Sequence, residues 1–106
     1  MPHYMIRASY TQQGIQGVLK EGAAGRVKAV NALVGSVGGT VETVYWALGE
    51  DDFVAIAELP DNAAAAAVAS TVAASGAASV KTTVLLTAAE VDEARGRTVA
   101  YRAPGS

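Results

Sequence analysis

The stretch TVETVYWALGEDDFVAIAEL, residues 40–59, decides the fold. It holds two runs rich in β-branched and aromatic residues, 40–48 and 53–59, separated by the turn-forming residues 49–52. Such runs favour β-strands, and a short polar linker between them is typical of a β-hairpin. Alternation along the second run places Phe53 and Leu59 on one face of the sheet and Glu58 on the other. The centre of the chain therefore predicts two consecutive antiparallel strands.

The residues before the hairpin predict a strand followed by a helix. Residues 3–10 alternate in period two between Pro2 and a polar segment, as expected of a strand. From Thr11 to residue 37 apolar side chains recur at helical spacing. Glycine weakens a helix interior and favours its end, so we expect a kinked or two-piece helix. The glycines concerned are Gly22 and Gly25 in the interior, and Gly38-Gly39 at the end.

The residues after the hairpin repeat this pattern in reverse. Asp61 caps a predicted helix that runs to residue 75, and residues 80–86 predict a fourth strand. Thr87 and Glu90 form a capping-box pattern, which opens a short last helix. The order β-α-β-β-α-β predicts an α+β, ferredoxin-like sandwich, with both main helices on one face of a four-stranded antiparallel sheet. We expect one domain over residues 1–95 and a C-terminal tail over residues 96–106.

Composition excludes several classes of protein. The 106 residues have a net charge of −2, and eight basic residues scattered along the chain argue against nucleic-acid binding. No long apolar run predicts a membrane span, and the absence of cysteine excludes disulfides and thiolate metal sites. The N-terminus lacks the pattern of a signal peptide, so we expect a cytoplasmic protein. We predict no cofactor.

The apolar residues predict self-association. Half of the chain is hydrophobic, but much of that half is alanine, which contributes little when it is buried. The face of the sheet that the helices leave uncovered is expected to be too apolar for water, and a partner chain would bury Trp46 there. We therefore predict a homo-oligomer of the dimeric α/β-barrel type, unless a one-residue shift of register exchanges the two faces of a strand. The residues placed on this face are Met5, Arg7, Val44, Trp46, Val54, Ile56, Glu58, and Thr83 or Lys81.

The chain contains the motifs Thr11-Gln12-Gln13-Gly14-Ile15, Gly38-Gly39, YWALGEDDF at 45–53, ELPD at 58–61 and VKTTVL at 80–85. Together these motifs resemble the GYD domain family, over roughly residues 1–95. The resemblance implies a ferredoxin-like, oligomerising domain whose biochemical role is largely uncharacterised. The sequence departs from the family at Asp51, where tyrosine is usual, so only Gly49 and Asp52 of the naming pattern remain. If that tyrosine serves a ligand, this chain lacks the group.

Charged residues within strands are the first candidates for a binding site. Arg7 and Glu58 lie in strands that neighbour each other in a ferredoxin-like sheet. They would form either a pocket for an acidic ligand or a structural ion pair at the oligomer interface, and we favour the ion pair. His3 could act as a general base, but its place at the start of a strand favours an interface role. Because it is the single histidine, we predict no metal site.

The hairpin supplies the other candidates. Tyr45 and Trp46 would wall a small-molecule pocket or pack as core and interface residues, and we favour packing. The acidic residues 50–52 could bind a hard cation, although we favour a role in forming the turn. Of these three residues, Asp52 is the one predicted to belong to a binding site.

Two classes of function fit these residues. The first is an oligomeric binding or scaffold module with a small-molecule pocket between two sheets. The alternative is a cofactor-independent enzyme of the dimeric α/β-barrel type, resembling a monooxygenase or an isomerase. No catalytic residues are identified, because the fold alone is a weak guide to a reaction.

Overall fold

A computed structural model describes all 106 residues and shows an α+β fold with one sheet and four helices. The four strands are antiparallel and lie in the order β2-β3-β1-β4. The predicted α+β class and four-stranded antiparallel sheet are confirmed. No helix has the length and apolar character needed to cross a membrane. The elements are β1 (His3–Tyr10), α1 (Gln12–Glu21), α2 (Ala23–Gly35), β2 (Thr40–Trp46), β3 (Phe53–Glu58), α3 (Asn62–Ala74), β4 (Ala78–Leu85) and α4 (Ala88–Arg95).

Local sequence signals set the ends of these helices. Thr11 caps α1 by accepting a hydrogen bond from the Gly14 amide, and Asp61 caps α3 in the same way. Gly22 separates α1 from α2 with a φ of 88°, a left-handed conformation that favours glycine. The two-piece helix predicted around Gly22 is therefore confirmed, while Gly25 lies inside α2 without breaking it.

The core lies between the sheet and the helices, and it is thin. The predicted inward face of β3 is confirmed, because Phe53, Ala55, Ala57 and Leu59 are all buried. Tyr4 is buried beside them, and its hydroxyl donates a 2.7 Å hydrogen bond to Asn62 Oδ1 at the start of α3. Only 12 of the 106 residues are buried, and five of those are alanines, so few large side chains stabilise the domain.

A β-bulge in β2 corrects the predicted faces of that strand. Pairing with β3 shifts by one residue between Val41 and Thr43, so an extra residue enters the strand there. Val44 then pairs with Ala55, and Trp46 pairs with Phe53, both of which face the helices. The prediction that Val44 and Trp46 lie on the uncovered face was therefore wrong. Strict alternation failed because one extra residue reverses every side chain that follows it.

The uncovered face, called here the open face, has a mixed character. Its centre holds Met5 of β1 paired with Ile56 of β3, followed by Arg7 paired with Val54. On β4, Lys81 pairs with Arg7 and Thr83 pairs with Met5. The placement of these β1, β3 and β4 residues on one face agrees with the prediction.

The C-terminal region extends away from the sheet. Helix α4 has no buried residue, and its capping box of Thr87 and Glu90 is present as predicted. The chain from Gly96 onward forms no strand and is exposed. The molecule is 57 Å long but only 23 Å thick, as expected when one segment projects from the body. We call residues 86–106 the C-terminal arm.

Candidate functional site

A cleft of about 540 Å³ lies on the helix side of the sheet, between α2 and α3. Small side chains of the sheet, including Ala8 and Ala55, line the cleft. α2 packs on β2, α3 packs on β4 and α1 contacts β1, so the cleft lies over the middle strands of the sheet between these helices. The walls are largely apolar, with Val30, Leu33 and Val34 from α2 and Val68 and Val72 from α3.

Polar groups also line this cleft. Tyr10 ends β1, and Glu21 and Arg26 come from α1 and α2 on either side of Gly22. Arg26 Nη1 lies 3.6 Å from Glu21 Oε1, so the two charges balance each other. Burial raises the pKa of the Tyr10 phenol, and the opposing effects of Arg26 and of a hydrogen bond with Trp46 are smaller. The phenol is therefore protonated at neutral pH and can donate a hydrogen bond to a ligand.

His3 does not stand alone at its end of the open face. Its Nδ1 lies 2.5 Å from Glu42 Oε1, and its Nε2 lies 3.6 Å from Glu58 Oε1. The three side chains come from β1, β2 and β3, and each is between a quarter and two-fifths exposed. We call them the His3 trio.

The predicted pairing of Arg7 with Glu58 does not occur. Glu58 is the pairing partner of His3. Arg7 lies four residues further along β1 and pairs with Val54 of β3. Neighbouring strands bring two residues together only if the register also matches, and here it separates them. Glu58 therefore joins the His3 trio, and Arg7 belongs to a different cluster.

Asp51 is the centre of that second cluster. Its carboxylate lies 3.6 Å from Arg7 Nη1 and 3.8 Å from Lys81 Nζ, and it accepts a hydrogen bond from Ser9 Oγ at 3.4 Å. Arg7 Nε is buried without a hydrogen-bond partner. At this position of the hairpin the chain therefore presents a charge-paired carboxylate.

Asp52 joins the hairpin to β1. Its Oδ2 accepts a 2.9 Å hydrogen bond from the Tyr10 amide, and its own amide donates a 2.9 Å bond to the Ala8 carbonyl. These bonds continue the β1–β3 pairing beyond the end of β3. Asp52 thus has the favoured structural role in the turn.

Tyr45 and Trp46 lie on opposite faces, as their alternation predicts. Tyr45 pairs with Val54 and is largely exposed on the open face. Trp46 packs edge-on against Phe53, with ring centroids 5.5 Å apart, on the helix side. Trp46 therefore belongs to the surroundings of the cleft and not to the open face.

Sequence reasoning missed three of the residues at these sites. Glu42 was missed because the sequence does not give the register of β2 on β3, which brings Glu42 within reach of His3. Glu21 and Arg26 were missed because they lie five residues apart on two helices, so helical spacing does not bring them together. The glycine at position 22 was the available signal, since it marks a change of chain direction between them.

The comparisons with known proteins identify one family. A family model described as GYD domain matches residues 4–94, which include all of the cleft and every strand except His3, the first residue of β1. No curated protein and no solved structure matches the chain.

Proposed function

The chain belongs to the GYD domain family, and from this premise we propose that it is a small-molecule-binding module whose ligand occupies the cleft between α2 and α3. The element order and the strand order β2-β3-β1-β4 support a ferredoxin-like arrangement for this module. The binding site differs from the sequence prediction, which expected a pocket between the sheets of two chains. A single chain already encloses its own cleft on the opposite side of the sheet.

The volume and lining of the cleft carry this proposal. Pockets for small molecules measure roughly 300–1,000 Å³ and are mostly apolar, with a few polar groups that orient the ligand. The cleft of about 540 Å³ has this size, and two-thirds of its lining residues are hydrophobic. Its polar side chains include the protonated phenol of Tyr10 and the Arg26–Glu21 pair. The ligand class that fits is an apolar molecule with one hydrogen-bond acceptor or anionic group.

Anilinonaphthalene sulfonate is a suitable probe, because it joins an apolar aromatic body to one anionic group. We expect saturable binding of one probe per chain, with energy transfer from Trp46, the single tryptophan, which packs on the cleft residue Phe53. Val72→Phe fills part of the cleft and should weaken binding by about tenfold or more, equivalent to 1.4 kcal/mol. Tyr10→Phe removes one hydrogen-bond donor and should weaken binding by roughly two- to tenfold.

The control is Val99→Phe, the same change on the exposed C-terminal arm. It should leave the affinity unchanged. Near-ultraviolet circular dichroism must show that each variant keeps its packed core, because loosely folded chains also bind this probe. Equal affinity of the native chain and the folded Val72→Phe variant would refute the cleft as the binding site.

The enzyme alternative has less support from the cleft. A general base must be deprotonated near neutral pH, and the burial of Tyr10 raises its pKa, which acts in the opposite direction. The carboxylate of Glu21 also lines the cleft, but it is paired with Arg26. The His3 trio and the Asp51 cluster both lie on the other side of the sheet from the cleft. Binding without turnover therefore explains the arrangement better than a monooxygenase or isomerase reaction does.

We also propose that the open face packs against the open face of a second copy. The thin core supports this assembly, because each chain buries few large side chains by itself. The apolar centre of the open face supports it as well, because Met5, Ile56 and Val54 are neighbours there. A two-fold axis would place this apolar centre against the same residues of the partner copy.

Sedimentation tests the assembly. We expect the native chain to form a dimer at micromolar concentration and Ile56→Asp to sediment as a monomer, because the new carboxylate would lose its water in the interface. Leu48→Asp places the same charge on a fully exposed loop residue and should leave the dimer intact. A native chain that sediments as a monomer would exclude this interface.

A further inference from the structure

The His3 trio combines three metal-ligating side chains from three different strands. We propose that His3, Glu42 and Glu58 form a binding site for a divalent transition metal ion such as Zn²⁺. One ligating atom of each side chain lies within 4.8 Å of those of the other two. This inference concerns the open face and does not depend on the cleft or its ligand.

The sheet brings these side chains together. His3 and Glu58 are direct pairing partners on β1 and β3, so their side chains leave the sheet side by side. Glu42 belongs to β2, on the far side of β3, and reaches His3 from the bulge between Val41 and Thr43. Without the extra residue, strict alternation would place Glu42 and Trp46 on the same face of the sheet. The bulge thus lets Glu42 face the trio while Trp46 still packs on the core.

The spacing is close to that of a bound ion. Zinc bonds to nitrogen and oxygen are about 2.0–2.2 Å long, so ligand atoms in a tetrahedral site are roughly 3.4 Å apart. His3 Nε2 and Glu58 Oε1 are already 3.6 Å apart, and Glu42 Oε1 lies 2.5 Å from His3 Nδ1. These two distances involve different ring nitrogens; with one ligand atom per side chain the set lies within 4.8 Å, so side-chain rotation has to shorten the longest separation by up to about 1.4 Å to reach tetrahedral spacing.

The donor set selects the class of metal. Imidazole nitrogen suits zinc and its transition-metal neighbours, whereas calcium and magnesium prefer oxygen ligands alone. The two carboxylates carry two negative charges, which one divalent ion balances. Three protein ligands also leave a fourth position for water, as in open zinc sites.

Binding of Zn²⁺ to the untagged chain tests the site directly. Competition with a chromophoric chelator should give one ion per chain, and Co²⁺ should give the intense visible absorption of a tetrahedral complex. His3 is the single histidine, so one set of imidazole NMR signals reports on it without assignment. Those signals should shift in proportion to bound Zn²⁺. This result is independent of the probe titration that tests the cleft.

Conservative variants distinguish the trio from other acidic residues. Glu42→Gln and Glu58→Gln should each weaken Zn²⁺ binding by at least about tenfold, because even outer-shell changes at metal sites cost 10- to 100-fold. Glu50→Gln removes a highly exposed carboxylate on the hairpin and should leave the affinity unchanged. Unchanged affinity in both trio variants, or histidine signals that do not move when Zn²⁺ binds, would overturn the proposal. So would the failure of Zn²⁺ to bind at all.

Discussion

Replacing Gly14 with alanine is expected to lower the free energy of unfolding by about 3 kcal/mol, the upper end of the usual range for overpacking. A Cβ atom at this position would lie 1.9 Å from the carbonyl oxygen of Ala77. That oxygen cannot easily move, because it accepts hydrogen bonds from the Thr11 amide at 3.0 Å and the Thr11 hydroxyl at 3.2 Å. Relief of the clash therefore requires α1 to separate from the segment before β4. Urea denaturation followed by circular dichroism measures the loss.

Gly17→Ala is the matched control for this change. It lies one turn further along α1, and an added Cβ would meet nothing within 4 Å. Alanine is the better helix former, so this variant should gain roughly 1 kcal/mol. Opposite signs for two Gly→Ala changes in one helix would show that the close approach at Gly14 governs the effect. Similar losses at both positions would contradict this explanation.

Replacing Leu59 with alanine is expected to cost about 2–5 kcal/mol. Leu59 is completely buried and belongs to the same core cluster as Tyr4 and Val34. Truncation leaves a cavity, and the neighbouring alanines are too small to fill it. Because domains of this size are stable by only about 5–15 kcal/mol, the loss is a large share of the total. Thermal unfolding measures this loss of stability as a decrease in the midpoint temperature of unfolding.

Leu48→Ala is the control for that loss. Leu48 is fully exposed in the hairpin, so its truncation removes the same atoms from water instead of from the core. The midpoint temperature of unfolding of Leu48→Ala should stay near that of the native chain, since surface substitutions usually change stability by less than about 0.5 kcal/mol. A loss at Leu48 equal to that at Leu59 would mean that a partner chain buries the hairpin.

The sequence predicted the elements and the core well because those features depend on local patterns. The alternation of Phe53, Ala55, Ala57 and Leu59 defines an inward face without further information. The faces of Val44 and Trp46 were wrong because an irregularity in strand pairing leaves no such pattern. The separation of Arg7 from Glu58 was also missed, since sequence order identifies neighbouring strands but not the register between them.

The cleft was beyond the reach of sequence reasoning for a different reason. The element order predicts that both main helices lie on one face of the sheet, but it does not predict the space between them. In the structure α3 packs on β4, at one edge of the sheet, and α2 packs on β2, at the other edge. The space between them depends on how far apart two helices lie, a distance that neither helix encodes alone. Small residues in the sheet then deepen this space.

The C-terminal arm has a consequence for how the chain opens. Since α4 buries no residue, the helix relies on its capping box and on local ion pairs such as Arg97–Glu93 at 2.7 Å. A helix of eight residues is marginal by itself in water, so it should melt and reform many times while the sheet stays intact. Amide hydrogens there would exchange with solvent on a far shorter timescale than those of β1. The cooperative unit that unfolds as a whole thus ends near Leu85, and the last fifth of the polypeptide contributes almost nothing to its transition.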